Sequence, residues 1–397
     1  MHLGRFNYVT SLIETYFEEN EIVSLVDQVI AQLNAYISSQ TKENSVNFRA
    51  KVGTLLQACS FTPPGYNSAS FRHIVADTHG EEYIGVGLEI SLKNILEEQS
   101  ITPAEMMVSL KEFRKNLSAY SDSITALSSG LITLGVEYEE LKPDQFEFGA
   151  MFPKELVGTS INEIQDELIR LNYLFKTLNE LMGKGPTSPT VSNISSSWWQ
   201  FFIELDYQQI AAISFAIERI VALYKSNLEI QKLKQDSEKN GLGEEITALI
   251  NQKIEEKLKS GMQEIAKDIR KKIQQNNDNE RCNELETQLR MELVHIAKRI
   301  NQGAAYEIRA GLPEEPEDIE AEQDEVPDPA TLAAHQEKVK AYNEKLHVAE
   351  EVNGAGQRLA EAIEEIASGE KNLLMDYAKL TADIQVQPVA NPSGKSK

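Results

Sequence analysis

Cysteine is nearly missing: Cys59 and Cys282 are the only two in 397 residues. Two thiols so far apart build neither a disulfide framework nor a zinc pattern, and they fit a reducing compartment. Positive charge is scarce as well. Lys and Arg total 39 against 62 Asp and Glu, a net charge of −23. Nucleic-acid binding needs a basic surface that displaces counterions from phosphate, and no Lys/Arg cluster with interleaved aromatics is present. The nearest, Arg270, Lys271 and Lys272, complements the dipole at the end of a helical pattern. No stretch approaches the roughly eighteen uninterrupted apolar residues of an ordinary transmembrane helix. The opening MHLGRFNYVTSLIETYFEENE lacks a continuous apolar core and carries Glu14, Glu18 and Glu19, unlike a secretory signal. A cytoplasmic protein is therefore expected. Proline is absent from Trp198 to Arg309, so nothing there forbids long helices.

That proline-free stretch carries the strongest pattern in the chain. Its apolar ladder reads Ile210, Ile213, Ile217, Ile220, Tyr224, then Ile246, Ile250, Ile254, Leu258, Met262, Ile265, Ile269, Ile273. A third run has Leu285, Leu289, Leu293, Ile296 and Ile300. Steps of three and four put each run on one helix face. Breaks at Asn240–Gly243 and at Gln274–Asn279 predict three helices, over 204–238, 244–274 and 280–308. The middle run advances by about 3.9 residues per step rather than the 3.5 of a heptad coil, which favours a bundle over a two-stranded zipper.

The first half reads as shorter helices. Thr102-Pro103-Ala104-Glu105 is a helix start with an N-cap, a first-turn proline and a capping box. Ser160 with Glu163 is a second capping box, opening a helix that ends at Gly183. Val136 to Gly158, with Pro143, Gly149 and Pro153, is expected to be a loop whose Phe146, Phe148 and Phe152 pack on the bundle. A strand at Tyr83–Val86 has no evident mate.

The expected fold is all-α, an elongated helical bundle with long coiled-coil-like helices. Its expected divisions are an N-terminal helical domain over 1–183, a Gly/Pro/Ser/Thr-rich linker over 184–197, a long helical ribbon over 198–310, an acidic Pro-rich tether over 311–329, C-terminal helices over 330–383 divided near Asn353, Gly354 and Gly356, and a disordered tail over 384–397.

Candidate chemistry is sparse. His73, Asp77 and His79 are ligand types, but they lack the spacing of a metal site, so polar loop residues are the preferred reading and no metal or cofactor is expected. Gly183-Lys184-Gly185-Pro186 lacks phosphate-loop spacing, and Pro186 removes an amide such a loop needs. His295, beside the third ribbon stripe, reads as a half-buried, satisfied histidine. Trp198, Trp199, Phe201 and Phe202 form the densest aromatic patch, and they precede the most apolar helical run. Core packing of the patch is weighed against partner docking and against a membrane-interfacial role for Trp198–Tyr224.

Phe152 to Leu156, Leu168 to Leu181 and Ile210 to Leu233 resemble uncharacterised helical proteins of bacteria over the middle third of the chain. The resemblance implies no activity and carries no functional residue; it implies a bacterial cytoplasm. The functional expectation is a non-enzymatic interaction or scaffold protein. It would bind a protein partner or itself through helices, with Trp198, Trp199, Phe201, Phe202, Ile254 and Leu258 as binding residues and no nucleic acid involved. The alternative is a helical protein that becomes membrane-active through Trp198–Tyr224.

Overall fold

A computed structural model describes residues 3–97, 102–139, 141–195, 198–239, 244–316 and 329–368. The chain divides into two compact units, Met1–Glu140 and Leu141–Lys397.

The first unit is helical: α1 (Leu3–Glu19), α2 (Ile22–Ser38), α3 (Lys42–Cys59), α4 (Ala69–Asp77), α5 (Gly85–Glu97) and α6 (Pro103–Thr133). Residues 81–84 are turn, not strand. The Thr102 side chain accepts from the Glu105 amide, and the Glu105 carboxylate accepts from the Thr102 amide at 2.8 Å, which fixes where α6 starts. Its apolar stripe, with Leu110, Leu117 and Ile124, closes on Ile13, Val26, Leu33, Leu55 and Leu88 from the other helices. The ends of α1 and α6 are tied by Asn7, whose amide donates to the Val136 carbonyl at 2.7 Å, and by the buried Arg5 on Glu139.

The second unit corrects the all-α expectation. It is mostly helical but holds a four-stranded antiparallel sheet. Its elements are β1 (Phe146–Phe152), the single turn α7 (Lys154–Val157), α8 (Ile161–Leu181), β2 (Thr190–Ser195), β3 (Trp199–Leu205), α9 (Tyr207–Lys239), α10 (Glu244–Ile273), α11 (Asn279–Asn301), β4 (Ala305–Ala310) and α12 (Pro329–Ser368). The strand order is β2-β3-β1-β4, with Phe148 opposite both Ile203 and Ile308. Phe148, Ala150 and Phe152 alternate along β1 and join Phe201, Ile203, Tyr306 and Ile308 in one core with α8–α11. Period-two alternation of aromatic and β-branched residues is what makes these segments strands.

Three expectations change as a result. The segment 184–197 contains an edge strand, and α8 packs into the second unit, so the division falls at 140/141 rather than at 183. The ribbon 198–310 begins and ends as strands: its three helices follow the stripes, but the first starts at Tyr207 rather than 204 and the third ends at Asn301 rather than 308. α12 runs unbroken through Asn353, Gly354 and Gly356. Those residues serve the sheet instead. The Asn353 side chain donates to the Ala310 carbonyl at 3.0 Å and accepts from its amide at 2.8 Å. A Cβ on Gly356 would stand 2.2 Å from the Ile308 carbonyl oxygen, so glycine lets α12 lie directly against β4. Most of the tether, the end of the C-terminal segment and the tail lie outside the described residues. Among the described residues no helix is long and apolar enough to cross a membrane.

Candidate functional site

The residues expected to bind a partner are mostly interior. Phe201 and Phe202, as strand neighbours, point to opposite faces of the sheet and are both buried. Trp198 and Trp199 are half-buried, and the Trp199 indole N–H donates to the Gly158 carbonyl at 2.9 Å. Leu258 on α10 is buried in the same core as Phe201. The side chain of Ile254 lies outside those described. The surface of Phe201, Phe202 and Leu258 is therefore occupied within the chain, while the half-buried Trp198 and Trp199 keep part of theirs exposed. Ile210, Ile213, Ile217, Ile220 and Tyr224, the apolar face of the membrane alternative, are buried in that core too, and Tyr224 donates to the Ala297 carbonyl at 2.7 Å. His73 and Asp77 lie on α4 and His79 just past its end. Among the described residues no three His, Cys, Asp or Glu side chains gather in a way that could hold a metal.

The polar chemistry of the molecule concentrates elsewhere, where α8 packs on α11. On α8, Glu167 and Arg170 share a face with Leu171 and Leu174; on α11, Glu292, His295 and Arg299 recur at steps of three and four. Glu167 is buried. One carboxylate oxygen meets His295 Nε2 at 2.9 Å and the other takes the Arg299 guanidinium. Glu292, 2% exposed, accepts from Arg170 at 3.4 Å and from the Gln288 amide, all at Oε1, and its Oε2 has no hydrogen-bond partner. Phe152 of β1 and Tyr306 of β4 close the pocket from the sheet side.

Electrostatics push the two carboxyls apart. Burial raises the Glu292 carboxyl; Arg170 and Gln288 oppose this only in part, Glu167 adds repulsion, and the result is a value of about 7. Burial also acts to raise Glu167, but the hydrogen bond and charge of His295, and then Arg299, outweigh it and hold Glu167 below the usual carboxylate range. The Tyr306 phenol is pushed up by burial, and the Glu167 charge adds to this. Of these groups Glu292 is the one shifted toward neutrality, while Glu167 is held in its charged form. The space between them is about 10 Å³, the scale of a single water molecule.

A second ionic group sits on the sheet face opposite the aliphatic core. Arg309 reaches its cross-strand partner Glu147 at 2.6 Å and Glu307 at 3.1 Å. The Ser192 hydroxyl donates to the other oxygen of Glu147 at 3.1 Å. Sequence reasoning found His295 but passed over Glu167, Glu292 and Arg299. The signal was there: acids and bases at helical spacing, flanking the stripe that runs from Leu285 to Ile300.

Compared with known proteins, the chain matches no family model, no curated protein and no solved structure.

Proposed function

We propose that this chain is a non-enzymatic interaction protein that presents helix faces to a protein partner in the cytoplasm. The observation that carries the reading is at the end of α6. Leu127, Leu131 and Leu134 follow one another at the spacing of a helix stripe. Leu127 is 41% exposed, Leu134 is 80% exposed, the neighbouring Ile132 is 54% exposed, and Leu131 is half-buried. Single exposed apolar side chains are ordinary, but a contiguous group of large ones marks a contact surface. Steps of four and three residues are those of a helix docking into a groove or along a coiled-coil-like partner. The close packing around Glu167 and Glu292 supports a structural role for the buried polar group in the same reading, with room for one water rather than a substrate.

The test is tagged recovery of the full chain from its native cell beside a Leu127→Glu/Leu134→Glu variant. Both positions are exposed, so the variant should fold. A stoichiometric protein recovered with the wild type and lost in the variant is the expected result. The same partners on both forms, or a substrate turned over by purified protein and lost on a single polar substitution, would overturn the reading.

A further inference from the structure

The two edges of the sheet are finished differently. At β4 the edge is closed by α12, through the two Asn353 hydrogen bonds to Ala310 and the close approach of Gly356 to Ile308. At the other end β2 has β3 on one side, and among the described residues no strand on the other. Its residues from Thr190 to Ser192, and Ile194, are exposed. Proteins usually blunt such an edge with lysine, an inward charge or a covering element. Here no charged residue occurs between Lys184 and Glu204. Two apolar side chains, Val191 at 42% and Ile194 at 54% exposure, stand on it.

The pattern of β2 also reads the same from either end. Val191 pairs with Ile203 and Ile194 with Phe201, so both lie on the aliphatic face of the sheet. A register shift between Val191 and Asn193 inserts Ser192, whose hydroxyl reaches Glu147 on the opposite face. Thr190, Asn193 and Ser195 pair with Glu204, Phe202 and Gln200, which puts them on that opposite face as well. From Thr190 to Ser195 the order is polar, apolar, polar, polar, apolar, polar. A strict alternation of six residues lacks this symmetry; the bulge creates it. Laid antiparallel on a copy of itself, β2 sets Val191 opposite Ile194, Ser192 opposite Asn193 and Thr190 opposite Ser195, each pair on one face.

We propose that the outer edge of β2 pairs antiparallel with β2 of a second copy of this chain, so that two four-stranded sheets join across a two-fold axis. Charge selects this occupant. Two chains of net charge −23 repel over most approaches, and an uncharged, self-complementary strand is where they can meet without setting like charges together. Main-chain hydrogen bonds supply the pairing, and the Val191–Ile194 contacts set the register.

The experiment uses the full chain. Light scattering after size exclusion at micromolar concentration should give twice the 44.5 kDa of one chain. Ile194→Lys, exposed and so harmless to the fold, should weaken the dimer at least tenfold by setting a charge against Val191 of the other copy. Leu127→Glu/Leu134→Glu should leave the dimer intact, which separates this surface from the α6 stripe. Register is read by cysteine. Native Cys59 and Cys282 are both buried. A mixture of Val191→Cys and Ile194→Cys chains should therefore crosslink under mild oxidation through the introduced thiols, and much faster than either variant alone. Within one chain the two positions are about 10 Å apart along the strand, beyond disulfide reach. A monomeric wild type, a dimer indifferent to Ile194→Lys, or a Val191→Cys chain that crosslinks alone as fast as the mixture would each overturn the proposal.

Discussion

Glu167 and Glu292 show how two identical side chains in one pocket come to opposite states. Glu167 has a histidine and an arginine in direct contact; Glu292 has the neutral Gln288 amide, an arginine only at 3.4 Å, and an oxygen with no hydrogen-bond partner. The consequence for stability has a definite sign. Glu292 binds its proton more tightly folded than unfolded, so its contribution is favourable below the unfolded value near 4.5 and is lost as pH rises through about 7. The loss is on the order of 3 kcal/mol. Glu292→Gln should therefore match the wild type near pH 4.5 and exceed it at pH 8, by up to roughly 3 kcal/mol, read from urea unfolding at the two pH values. Glu167 runs the other way: its contribution is present above its unfolded value and is lost as pH falls through its lowered folded one. Glu167→Ala removes the carboxylate that faces both His295 and Arg299, and should cost about 3–5 kcal/mol at pH 7 in the same assay. Wild-type stability at pH 7 in the Ala variant would mean that the two bases find water instead.

At the scale of elements, helices were legible and strands were not. The capping boxes at Thr102 and Ser160, and the stripes from Ile210 to Ile300, are local signals, and α6, α8, α9, α10 and α11 lie where they point. The strands lacked local mates. Phe146, Phe148 and Phe152 alternate visibly, yet their partners Ile203 and Ile308 lie far along the chain, and a strand without a partner reads as loop. Gly/Pro/Ser/Thr composition likewise marks a linker and an exposed edge strand alike, which hid β2. Glycines in α12 suggest helix breaks because sequence shows their propensity and not what lies beside them. Two neighbours separate those effects. Gly356→Ala drives a Cβ against the Ile308 carbonyl and should lower the melting midpoint, at about 1–3 kcal/mol. Gly354→Ala meets only the Arg358 guanidinium at 3.5 Å, and should be neutral or gain up to about 1 kcal/mol from helix propensity. Equal effects at the two positions would mean that α12 is not held against β4.

At the scale of the whole molecule, the two apolar cores divide the sequence cleanly. Among the described residues one draws on positions between Phe6 and Ile124, the other on positions from Phe146 onward. A core that needs no residue from beyond a boundary is the condition for a unit to fold alone. Among the described residues the first unit meets it, and its terminal segments are tied to each other through Asn7 on Val136 and Arg5 on Glu139. It is also large enough to bury a sizeable core without disulfides. The fragment Met1–Glu140 should therefore express as a helical protein with a cooperative thermal transition. Within it, Leu117→Ala, at a fully buried position on α6, should cost about 2–5 kcal/mol. The same substitution in the full chain should shift one transition of two and leave the other in place. A fragment that melts without cooperativity, or a full chain in which Leu117→Ala moves a single common transition, would show that the units stand or fall together.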